Sequence, residues 1–149
     1  MSSREIKFRA KTLAQDIWYY GSYFEHTKRQ VSPLGDSLKD EDVEHLIISH
    51  GFADWNMPIP IVAAQVKPDT VGQFIGFRDK NKKEIYEGDL IRINDKEDLY
   101  KVEWNEDNAA FILTTIDFIK ADFDCYYADE LEVVGNVYDN PELIKECEW

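Results

Sequence analysis

Residues 70–93 constrain the fold of this chain more than any other stretch. Short apolar runs there are cut by Gly72, Gly76 and Gly88 and by one polar hinge, Asp79-Lys80-Asn81-Lys82. The pattern predicts a strand, a tight turn, a second strand, another turn at Glu87-Gly88-Asp89, and a third strand from Leu90. With Gly135, which interrupts a later apolar run, four interior glycines cost on the order of 2–4 kcal/mol relative to alanine. That is large beside a net stability of about 5–15 kcal/mol. Bulges, bends and turns in a tightly curved sheet are the expected return. A phosphate cradle is not: no glycine pattern of a nucleotide loop leads from strand into helix.

Several of these residues are similar to a known family. Thr70-Val71-Gly72-Gln73-Phe74, Gly76, Asp79-Lys80-Asn81 and Glu84-Ile85-Tyr86-Glu87-Gly88-Asp89 together resemble the YopX family of phage and prophage proteins. The opening Arg4 to Ala10 with Trp18 and Gly21, and the closing Glu132 to Leu143, resemble the same family. The resemblance spans nearly the whole chain and is weakest over residues 24–66. Lys82 departs from it, since the family commonly has glycine after the asparagine. The resemblance implies a protein of unknown function and carries over no catalytic residue, cofactor or metal ligand.

Length and composition set the bounds. The 149 residues suffice for one domain or two small lobes. A chain of this size buries enough surface to fold without disulfides or metal. Apolar residues at 44% and aromatics at 13% argue for a true core. No apolar run approaches a membrane span, and the opening Met-Ser-Ser-Arg-Glu-Ile-Lys lacks the apolar region of a signal peptide, so the expected place is the cytoplasm. Two cysteines, Cys125 and Cys147, are too few for a disulfide framework.

Charge is uneven. Residues 1–75 carry a net −2, residues 76–96 a net +1, and residues 97–149 a net −12. A surface of that sign repels phosphate, which argues against nucleic acid as a partner for the last third.

Along the chain, Ile6, Phe8 and Ala10 alternate with charged residues, as in a half-buried strand. Ile17 to Phe24 is its expected return strand, with aromatics on both faces that call for protein cover. Residues 25–44 read as a polar loop, with a short helix near Ser37. Leu46–Ser49 and Ile59–Val66 are further apolar runs, the second confined by Pro58 and Pro60 to an edge or a bulge. Beyond residue 93, strands are expected at Tyr100–Trp104, Ala110–Ile116 and Leu131–Tyr138, with a capping loop over residues 117–130. Asn140-Pro141-Glu142 starts a short helix, the asparagine acting as cap.

The chemistry-bearing residues do not converge in the sequence. His26, His45 and His50 lack metal-ligand spacing, and His45 and His50 fall on opposite faces of one strand. The acidic run Asp40-Glu41-Asp42 lacks the spacing of a calcium loop. Asp122, Asp124, Asp129 and Glu130 are too common a pattern in an acidic chain to be an acid–base pair.

These readings give a mainly β protein. An N-terminal β-hairpin lobe over residues 1–69, with an irregular insertion, precedes an SH3-like small β-barrel over residues 70–149 that ends in a short helix. The expected role is that of a non-enzymatic phage or prophage accessory protein. It self-associates as a homo-oligomer and acts by binding another protein. The alternatives are an acidic decoy that occupies a DNA-binding protein, or a nucleic-acid-binding barrel. No catalytic, cofactor or metal residue is expected.

Overall fold

The computed structural model describes residues 4–115, 117, 119–123 and 126–145. The chain divides into two compact units, Ile6–Val71 and the residues from Gly72 onward joined by residues 4–5.

In the first unit, β1 (Phe8–Lys11), β2 (Trp18–Thr27), β3 (Val43–His50) and β4 (Ile61–Gln65) pair antiparallel in the order β4-β3-β2-β1. The first strand begins at Phe8, and the charged residues that alternate with Phe8 and Ala10 are not all solvated: Arg9 is buried, its guanidinium 4.4 Å from the Trp18 ring centroid. Ile6 precedes the strand and is 62% exposed rather than inward. Ala10, Ile47 and Val66 form the buried centre, with Phe8, Tyr19, Tyr23 and Val71 packed against it. One isolated bridge, Thr12 to Val66, brings the chain beyond β1 against the chain beyond β4. The loop predicted over residues 25–44 is shorter than expected, because β2 runs on to Thr27 and β3 begins at Val43. The expected turn of helix is a single 3-10 turn at Asp40–Asp42.

Gly21 shows what a glycine inside a strand is for. A Cβ there would stand 2.2 Å from the Ile48 carbonyl oxygen on the neighbouring strand, so no other residue fits without moving backbone.

In the second unit, β5 (Gly72–Arg78) and β6 (Glu84–Tyr86) form a hairpin whose register shifts between Phe74 and Arg78. A five-stranded antiparallel sheet follows, in the order β10-β9-β8-β7-β11. Its strands are β7 (Asp89–Ile93), β8 (Leu99–Asn105), β9 (Ala110–Thr115), β10 (Lys120–Asp122) and β11 (Leu131–Asn136). A second register shift, between Val133 and Gly135, bends β11 on β7. Ile85, Ile91, Ile93, Val102, Leu113 and Leu131 make the core, lined by Ile75, Phe77, Tyr100 and Phe123.

The expected SH3-like barrel differs from this arrangement. β10 and β11 end the sheet, and no ladder joins them among the described residues, so the sheet stands open. β10 is three residues long, too short to supply a closing ladder, and it lies where a capping loop was expected. Trp104, which strict alternation with Tyr100 and Val102 would turn inward, is 47% exposed at the hairpin end and meets Phe111 edge-on at 5.0 Å.

α1 (Pro141–Lys145) begins at the expected proline. Asn140 caps something else: its Oδ1 accepts the Asn136 N–H at 3.2 Å, while its main-chain carbonyl accepts from Leu143.

Candidate functional site

Two regions of the first unit combine exposure with organised side chains. The first is a shallow groove of about 630 Å³, lined by Leu13, Lys28, Asp40, Glu41, Val43, Glu44, His45, Gln65, Val66 and Pro68. Strand pairing builds its polar wall. His26 on β2 stands opposite Glu44 on β3, and His26 Nδ1 lies 2.7 Å from Glu44 Oε1. Gln65 Nε2 on β4 donates to the other carboxylate oxygen at 2.7 Å. The hydrogen bonds from His26, then from Gln65, hold the Glu44 carboxyl below the usual carboxylate range. His45, one residue on and so on the other face, stacks against Tyr23, with Tyr23 Oη 2.6 Å from His45 Nδ1. Burial, then the charge of Glu25, pushes the Tyr23 phenol up. The phenol therefore stays protonated, and the direction of its bond with Nδ1 follows the His45 tautomer.

Arg29 organises the loop that follows β2. Its guanidinium donates to Asp36 at 2.8 Å and pairs with Asp42 at 3.0 Å. Both carboxyls sit below their ordinary range for that reason first. Glu44, Gln65 and His45 thus have structural partners in this wall, and Lys28, Asp40 and Glu41 complete its charged rim. His50, at the far end of β3, is exposed and apart from His45. Among the described residues no three His, Cys, Asp or Glu side chains gather as a metal site.

The second region is the segment after β3. Phe52 is 85% exposed and Trp55 94%, and Met57, Ile59 and Ile61 are each more than half exposed. Residues 55–66 contain no charged residue in a chain that is 32% charged. The strand that follows the two prolines, β4, lies at the end of the sheet.

The acidic residues weighed in the sequence do not come together. Asp122 is exposed on β10. Glu130 Oε2 accepts the Tyr127 N–H at 2.6 Å, which closes a turn. Asp124, Cys125 and Cys147 lie outside the described residues. The grooves described, including a smaller one around Arg29 and Leu38, have no glycine in their walls.

Sequence reasoning passed over two buried carboxylates. Asp79 is 4% exposed and Asp89 1%. Asp79 accepts from Asn81 and Lys83 in its own turn, and Asp89 accepts from the Tyr86 N–H at 2.8 Å. The signal was an aspartate opening a turn of Asn and Lys, the usual place for a side chain that bonds its own backbone.

Among known proteins, the structure is similar to the crystal structure of protein EF1440 from Enterococcus faecalis. The TM-score is 0.53 at 20% identity, over 95% of this chain and 99% of that one. At that identity the likeness speaks to the fold alone. No curated protein matches the sequence. The family model described as YopX protein matches residues 7–145. The glycine-punctuated hairpin, the buried Asp79 turn and the closing strand all lie within that span, and the chain belongs to the YopX family.

Proposed function

We propose that this chain is a non-enzymatic accessory protein of phage and prophage elements that works in the cytoplasm by self-association and protein binding. One observation carries the reading: the uncharged segment from Trp55 to Val66, with Phe52 just before it, presents large apolar side chains to solvent. Contiguous exposed apolar surface rimmed by polar residues marks an interaction site. The groove beside His45 offers a weaker case for chemistry, because Glu44, Gln65 and His45 are engaged by structural partners.

An acidic decoy rests on net charge alone. Part of that charge has structural duty, as in the Glu132 pairing with Lys80 at 3.3 Å. Binding of nucleic acid by the C-terminal unit is opposed by sign. Light scattering on the purified protein across a concentration series tests the reading. Association that Trp55→Ser weakens supports it; a monomer throughout, indifferent to that substitution, contradicts it.

A further inference from the structure

We propose that β4 is a self-pairing edge. Two copies join antiparallel through Ile61 and Ala63, with the two-fold axis at Val62. This rests on the self-association proposed above and adds its place and register.

The pairing of β4 with β3 decides which backbone groups are free. Val66 N–H donates to the His45 carbonyl, and the Pro60 carbonyl accepts from Gly51 N–H. Residues 60 and 66 therefore direct their main-chain groups toward β3, and by alternation so do 62 and 64. Ile61, Ala63 and Gln65 direct theirs outward. Leu13 N–H already donates to the Gln65 carbonyl at 3.0 Å, which closes that end. At Ile61 and Ala63 no main-chain partner stands on the outer side among the described residues.

Natural edge strands are guarded by charge, proline or a bulge. This one is not. Pro60 turns its missing donor toward β3, where it leaves the outer edge unguarded. No charged residue occurs from Trp55 to Val66, and the register on β3 is regular.

The occupant is a second copy of this chain. Each copy carries −13, so two copies repel over most of their surfaces and approach most easily where charge is absent. A basic partner would instead be drawn to the acidic last third. Antiparallel pairing of a strand with its own copy is isologous, and it uses Ile61 and Ala63 twice in four hydrogen bonds. The neighbouring area is sufficient. Phe52 and Trp55 are almost wholly exposed, and such rings offer about 150–250 Å² each. With Met57, Ile59 and Ile61 on both copies, the patch exceeds the roughly 1,000 Å² that a specific interface needs.

The register makes the test specific. Val62 meets its own copy as a non-hydrogen-bonded pair, with Cα atoms about 4.5 Å apart, within the span of a disulfide. The probe is Val62→Cys in a chain with Cys125→Ser and Cys147→Ser. Mild oxidation is expected to give a covalent dimer, reversed by reductant, at least tenfold faster than Leu34→Cys in the same background. Amide exchange at Ile61 and Ala63 is expected to slow as concentration rises. A dimer by light scattering without the cross-link, or one with exchange at Ile61 and Ala63 unchanged, overturns the strand pairing and leaves the proposed function standing. A cross-linking rate no higher than that of Leu34→Cys overturns the pairing too. A monomer at every concentration overturns both.

Discussion

Asp79 Oδ2 accepts a hydrogen bond from the Val133 N–H at 2.9 Å, across 54 residues of sequence. Its Oδ1 accepts from Asn81 at 2.8 Å and Lys83 at 2.9 Å, so one buried carboxylate ties the β5–β6 turn to β11. The main chain repeats the link, with Lys80 N–H donating to the Leu131 carbonyl. Hydrogen bonds to a charged acceptor contribute about 1.5–3 kcal/mol each, and their orphaned donors cost more when buried. Asp79→Ala is expected to lower stability by about 3–5 kcal/mol in urea unfolding. Asp79→Asn should lose less, since one oxygen still accepts. A loss below about 1 kcal/mol for Asp79→Ala would show that the turn and the strand hold together without it.

Lys82 closes the same turn with φ +63°, the left-handed conformation that side chains resist. Its side chain is exposed, so glycine there relieves strain at little loss of contact. Lys82→Gly should raise stability by about 1 kcal/mol, after the extra chain entropy of glycine is offset. A thermal or urea midpoint that falls would refute the strain.

Gly21→Ala tests close approach instead. The added methyl meets the Ile48 carbonyl, which the β2–β3 ladder holds in place. A destabilisation of about 3 kcal/mol is expected, at the upper end for overpacking. An unchanged unfolding midpoint would mean that the strands separate there at no cost.

The strands themselves were legible. Period-two alternation placed β8 and β11, and Gly76 falls within one register shift while Gly135 borders the other, as a bending role predicts. What composition could not reveal was where alternation ceases to mean burial. Ile6 and Trp104 keep the phase of their strands yet lie at the ends, beyond the core. β10 was hidden because Lys120-Ala121-Asp122 is polar, and its place comes from pairing with β9. Asn140 carries the local signs of a helix cap, but Gly135 and Asn136 lie beside it and claim its side chain. The apolar residues from Phe52 to Met57 fall between two strand-like runs and belong to neither pattern. Sequence shows their hydrophobicity but not that the fold leaves them uncovered.

Acid should loosen the first unit through a short set of carboxylates. Arg29 holds Asp36 and Asp42 below the ordinary range, and His26 and Gln65 hold Glu44 there. A depressed folded pKa adds stability that is fully present above the unfolded value of about 4 and is lost as pH falls through the folded value. Denaturant midpoints should therefore stay level from pH 7 to about 5 and decline below about 4. Arg29→Gln should shallow that decline. An identical acid slope in both proteins would remove Arg29 from the explanation.

Covering by protein is the role proposed for the charge-free surface around Trp55 and β4. Light scattering of the intact chain beside Ile61→Lys, which guards the edge with a charge, measures this most directly. A species near twice 17.5 kDa is expected for the natural sequence, reverting to 17.5 kDa in the variant without loss of thermal stability at low concentration. A mass of 17.5 kDa for both proteins at every concentration would contradict it.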